Sequence, residues 1–498
     1  MTSESAFKSL TQSMREVYTL AEVCSILHWD QETMMPKNGV MTRAAQLSEL
    51  VGVLHEKRTN PKLKEWLSHL DDTTLSVAEK AMVREIQRDV DKAHKVPGTL
   101  LQEIAKEASL GHQVWSQARK EKDFALFAPA LERMVNLKKE YAKCLGFKES
   151  PYEVLLDDFE PGSSLADVSA MLEGLRAPLI ELLGKIKGKE LRMASLVGEY
   201  PEEEQLALAK NVSTQLGYDF SSGRLDLAVH PFTSGGTPGD IRITTRVNPK
   251  DFQDCLYSTI HEVGHALYEQ GIDKGLTFTP LGHAVSLGVH ESQSRLWENQ
   301  VSRGPFFSQW IYQQCKDFFG LGDMGYDGFY RAINEVGGSV IRTESDEVTY
   351  NLHVLLRFEL EKALFEERLA LQDVEEAWNS KTKELLGFVP PSVDMGVLQD
   401  VHWSGGHFGY FPTYTLGNIY SAELFAAADE QIDDLSGKLS RGEGGELLAW
   451  LRENVHQHGR IYTAPELMTR VCGHQPTSEP LVRYLQAKFS AIYGLESA

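Results

Sequence analysis

Two imidazoles four residues apart, His261 and His265, flank Glu262 in residues 258–271 (STIHEVGHALYEQG), a run whose pattern reads as helix. Residues four apart on an α-helix lie one above the other, so both histidines can offer a nitrogen to one metal ion. Glu262 is rotated from His261 by about 100° at roughly 3.6 residues per turn, which puts its carboxylate beside the ion as a base and not as a ligand. Asn248-Pro249 suits an N-cap and a first-turn proline, Asp251 suits the positive helix end, and Gly271 supplies the stop. The bland alternative is a chance match on an amphipathic helix, two surface or core histidines. With 16 His in 498 residues such a match arises on the order of a few per cent of the time. The pattern points to a metallohydrolase.

Zinc bound in this way needs a third protein ligand and an open position for water, whose pKa it lowers to about 7. Residues 286–299 (SLGVHESQSRLWEN) read as a second helix carrying Glu291 and Glu298, reached through a segment with Pro280 and Gly282. A carboxylate from that helix completes a two-His, one-Glu set. Spacing leaves Glu291 and Glu298 open and does not exclude His290. Glu269, a further turn along the first helix, is expected to be exposed. The donor types fit one divalent metal per chain, zinc first and cobalt as the alternative.

The elements that must position these groups are mostly helices. Residues 5–225 carry apolar side chains every three or four positions, as Phe127, Leu131, Met134, Tyr141 and Leu145 do along one face. Residues 224–247 break the pattern. There RLDLAVHPF and DIRITTRV alternate around TSGGTPG, which predicts a short hairpin or small sheet beside the HExxH helix. An edge strand in that place could hydrogen-bond an extended peptide and lay it across the metal. The fold class expected is mainly α. Sparse breakers and the lack of a Pro-rich or Ser/Gly-rich linker suggest that residues 1–498 form one unit, which can divide into two lobes flanking a deep cleft.

Composition removes several classes. With 50 basic against 71 acidic side chains the net charge is −21, which repels nucleic acid and anionic membrane and favours a small or peptide substrate. The start, MTSESAFKSLTQSM, lacks a signal-peptide layout, and five scattered cysteines without CxxC pairs suit reduced thiols. A cytoplasmic location is therefore expected. The GGTPG loop lacks a following Gly-Lys-Ser/Thr and is read as an ordinary turn, not a phosphate cradle.

Six ordered motifs resemble the Taq-type thermostable carboxypeptidases, a metal-dependent HExxH family. They are residues 230–232 (HPF), 240–244 (DIRIT), 261–265 (HEVGH), 290–293 (HESQ), 341–346 (IRTESD) and 396–403 (GVLQDVHW). Flanking matches at 28–33 (HWDQET), 155–162 (LLDDFEPG), 410–418 (YFPTYTLGN) and 458–460 (HGR) extend the likeness over nearly the whole chain. Ser345 stands where the family often has Ala, and residues 473–481 match less well.

The resemblance implies a large helical zinc-peptidase fold, Glu291 as third ligand, a homodimer, and release of C-terminal residues from peptides with broad specificity. Glu262 is then the general base and acid. The same resemblance directs attention to residues 402–414 for an oxyanion donor, where His402, Tyr410 and Tyr414 are the candidates. A free substrate carboxylate calls for arginine's planar fork, and the motif arginines are Arg342 and Arg242. Each has a structural alternative of nearly equal weight, an ion pair of Arg342 with Asp346 and of Arg242 with Asp240. His230 is a further candidate for lining the site. Two other functions stay in play, an endo-acting oligopeptidase and a helical scaffold with a structural metal. The base beside an open coordination position argues against the scaffold.

Overall fold

A computed structural model of the chain describes residues 1–189 and 194–495. Helices run from Ser3 to Leu216, a three-stranded sheet follows, and helices resume from Phe252 to Tyr493. Most buried apolar side chains belong to one large core. A second, smaller core gathers Leu10, Met14, Val17, Tyr18, Leu54, Leu63, Ile86 and Val90 from the N-terminal helices.

Of the hairpin or small sheet expected beside the HExxH helix, the chain forms the small sheet. Strands β1 (Leu225–Leu227), β2 (Thr233–Thr237) and β3 (Asp240–Thr245) lie in the order β1-β3-β2. β1 runs parallel to β3 and β2 antiparallel to it. The segment TSGGT, read from its glycines as a connecting turn, is β2 itself. It bulges between Gly235 and Thr237, and Gly235 has φ +137°, a conformation that favours glycine. A Cβ on Gly236 would run into the Glu22 carboxylate of the N-terminal helix Ser3–Thr33. That helix also covers β2 at Gly235, whose carbonyl accepts from Ser25 Oγ at 3.2 Å. On β3, Ile241 and Ile243 point into the core, and Thr245 Oγ1 donates to the Cys255 carbonyl at 3.2 Å, fixing the sheet to the next helix.

That helix, Phe252–Gly271, holds HExxH. It starts later than the Asn248-Pro249 signal suggests. Asn248 Oδ1 is turned to the Lys250 amide, while Asp251 caps the helix by accepting from Gln253 N. The second helix, Leu287–Arg295, is capped by Ser286 and continues as a π-helical stretch, Leu296–Ser302. Such π segments often mark functional positions. Two glycines let its neighbours approach: a Cβ on Gly264 would lie 2.5 Å from Ser294 Cα, and one on Gly417 would lie 2.4 Å from Glu291 Cγ. The helix bearing Glu291 is thus gripped between the HExxH helix and helix Phe411–Gln431.

Candidate metal centre

His261, His265 and Glu291 converge: one donor atom from each lies within 4.8 Å of the others. The two helices run antiparallel, so the Glu291 helix supports both rings. His261 Nδ1 pairs with Glu298 Oε2 at 2.9 Å, and His265 Nδ1 with the His290 carbonyl at 3.1 Å. These acceptors place the protons on Nδ1 and leave the lone pairs on Nε2. Both Nε2 atoms face Glu291 Oε2, at 3.6 Å from His261 and 3.5 Å from His265. Three donor atoms turned toward one another at these distances suit a shared cation. Two donors about 2.05 Å from a tetrahedral zinc ion stand about 3.3 Å apart, close to the spacings seen. The residues therefore fit a divalent metal.

Electrostatics agree with that fit. Burial opposes charge on Glu291, yet Arg295 and the two histidines hold it well below the usual carboxylate range. Burial pushes His265 down to about 3. Burial also works against a charged His261, but Glu291 and Glu298 outweigh it and leave its pKa raised; a cation on Nε2 takes the place of that proton.

Glu262 is buried beside the group and is held by Thr233 of β2, whose Oγ1 lies 2.7 Å from Glu262 Oε2 and 3.0 Å from its carbonyl. Burial raises the Glu262 pKa. Sequence reasoning missed Thr233; its only signal was its place directly after the HPF motif. Glu298, weighed as a ligand, instead orients His261. His290 is turned away: its ring stacks on His265 at 4.1 Å, and its Nε2 meets Glu269 Oε1 at 3.1 Å. Glu269 is accordingly not exposed, because a residue four beyond His265 faces the same neighbouring helix.

Tyr410 and Tyr414 sit at the start of helix Phe411–Gln431 on the face that carries Gly417, and so turn toward Glu291. Burial raises the pKa of both phenols, with Glu291 adding to the effect, so both stay protonated. His402 Nε2 lies 3.3 Å from Tyr414 Oη, and burial lowers its pKa to about 4. Arg342 is buried, but its partner is Asp400 and not Asp346: Nη2 reaches Asp400 Oδ1 at 2.9 Å and Nη1 reaches Tyr350 Oη at 3.1 Å. Asp346 is committed elsewhere, capping helix Glu347–Phe365 through the Val348 and Thr349 amides. Arg357 joins Arg342 on Asp400. Arg242 does pair with Asp240, through two bonds of 2.7 Å, and stacks 4.3 Å from the Trp29 ring. His230 is exposed in the turn between β1 and β2.

Comparison with known proteins gives the family. The family model described as Carboxypeptidase Taq (M32) metallopeptidase matches residues 9–489. Thermostable carboxypeptidase 1 of Thermus thermophilus is 41% identical, over 99% of this chain and 100% of that protein. Carboxypeptidase 1 of Bacillus subtilis is 35% identical over 98% of each. The crystal structure of the M32 carboxypeptidase from Deinococcus radiodurans R1 superposes with a TM-score of 0.95 at 37% identity, covering 98% of this chain and 100% of that one. With the family matched along almost its whole length and the donor set in place, the chain belongs to the Carboxypeptidase Taq (M32) metallopeptidase family and is a metallocarboxypeptidase.

Proposed function

We propose that the enzyme releases single C-terminal residues from peptides of varied sequence, using one divalent ion held by His261 Nε2, His265 Nε2 and Glu291 Oε2. The observation that carries this reading is the convergence of both Nε2 atoms on one carboxylate oxygen. Zinc is the first candidate for two nitrogens and an oxygen, and cobalt the second. When bound, the ion supplies Lewis acidity, polarising a carbonyl and lowering the pKa of water to about 7. Glu262, fixed through Oε2 by Thr233, keeps Oε1 for taking a proton and passing it to the leaving amine. Tyr410 and Tyr414, as protonated phenols, and His402, as a neutral imidazole with one ring N–H, are the candidate donors to the developing oxyanion. Arg342 and Arg357 share a single carboxylate, leaving one positive charge in excess among buried side chains. That charge favours the substrate's terminal carboxylate at this end of the site. Arg242, its fork filled by Asp240, and the exposed His230 are the remaining candidates for substrate contacts.

Digestion of an unblocked peptide and its C-terminal amide, read by mass spectrometry, tests the reading. The unblocked peptide should lose residues one at a time from its C-terminus, the amide should resist, and chelation should stop cleavage until zinc is restored. Internal cuts, or equal cleavage of the amide, would favour an oligopeptidase instead. Glu262→Gln should lower kcat by about 10² to 10⁴ while the ion stays bound. The same reading places the enzyme in the cytoplasm, where its five unpaired cysteines stay reduced. It also makes the enzyme a homodimer, which sedimentation equilibrium can check. Among the described residues no helix is long and apolar enough to cross a membrane.

A further inference from the structure

Glu291, Arg295 and Glu298 follow one another at spacings of four and three residues, so they share one face of the helix and its π-helical continuation. Arg295 Nε donates to Glu291 Oε1 at 2.7 Å, and its Nη1 lies 3.4 Å from Glu298 Oε2. The two ends of this bridge differ in kind. Oε1 is the Glu291 oxygen turned away from the histidines, since Oε2 is the one that faces both of them. Glu298 Oε2 is the atom that holds His261 Nδ1. The guanidinium also lies 4.8 Å from the centre of the Tyr350 ring, which keeps it from swinging aside.

We infer that Arg295 is a positioning residue for the metal: one guanidinium fork occupies the outer oxygen of Glu291 and the carboxylate that orients His261. Two consequences follow for ligands that lie on separate helices. Glu291 is restricted to a single donor oxygen, and His261 is held in the Nδ1-protonated form with Nε2 free. Two nearly buried carboxylates on one helix would repel each other without the intervening cation. A lysine could supply that charge, but only as a point; it lacks the planar fork that reaches both partners. A purely structural ion pair would hold the fold and leave the ligand set unchanged.

The inference rests on the ligand assignment proposed above, and its test separates the two. Wild-type protein, Arg295→Lys and Arg295→Met are stripped with chelator and checked for native circular dichroism. Each is then titrated with zinc against a chromophoric chelator and, separately, loaded with cobalt for its visible spectrum. Loss of a partner that orients ligands typically costs 10- to 100-fold in metal affinity; a fall of about that size is expected in both variants. Their cobalt absorption should weaken, because the freed Glu291 oxygen raises the coordination number. If Arg295→Met does not fold, the conservative Arg295→Lys decides. Folded Arg295→Lys that binds zinc within about twofold of wild type, with an unchanged cobalt spectrum, overturns the bridge while leaving the ligand assignment standing. Wild type that takes up no ion overturns both.

Discussion

Glu262 depends on a residue from another element. Thr233 lies 29 positions earlier in the chain, yet its hydroxyl sets which carboxylate oxygen of Glu262 is free. Thr233→Val keeps the shape and removes the bond. Kcat should fall about tenfold, the equivalent of ~1.4 kcal/mol, with metal content unchanged; an unchanged kcat would deny Thr233 any part in aiming the base. The pairing of His261 with His265 as candidate ligands was legible because helix geometry alone puts two imidazoles four residues apart in register. Glu291 and Glu298 were not separable in that way, since seven residues also return to one helix face. Which of them faces both imidazoles depends on the antiparallel register of two helices, a tertiary fact. The bond of Arg342 to Asp400, 58 residues away, escaped local spacing for the same reason.

The elements were legible where their period was long and lost where glycine spoke for two things at once. Glycines are depleted in strands and enriched in turns, so TSGGT reads as a turn. In the sheet those glycines are needed because Glu22 and the β3 backbone approach too closely for a Cβ. Gly264, inside the metal motif, carries a comparable demand. Gly264→Ala would drive a methyl into the Ser294 backbone and prise the two ligand helices apart. Overpacking of this kind costs about 1–3 kcal/mol. Thermal unfolding should show the loss of stability, and zinc titration should show weaker binding. A variant with wild-type stability and affinity would mean that the helices do not cross as closely as the structure indicates.

Across the whole molecule, buried carboxylates link distant elements and give stability a pH dependence. Glu361 accepts from Trp403 Nε1 at 2.7 Å, Tyr152 Oη at 2.7 Å and Gly409 N at 2.9 Å. Burial raises its pKa from the ordinary 4.5 to about 7. The folded state therefore holds this proton more tightly than the unfolded chain, so Glu361 makes stability fall as pH rises from about 4.5 to about 7, with no further change above that. Chemical denaturation of wild type and Glu361→Gln across this window should show a shallower decline in the variant, and parallel profiles would refute it. A mainly helical architecture was readable from periodicity over hundreds of residues; the small second core of the N-terminal helices was not, because periodicity says which face is buried and not against what. The most direct measurement is anomalous diffraction from crystals of zinc-loaded protein, collected on both sides of the zinc edge. One peak per chain is expected, bonded to His261 Nε2, His265 Nε2 and a Glu291 oxygen. A peak remote from Glu291, or no peak in protein that cleaves peptides, would contradict the metal centre described.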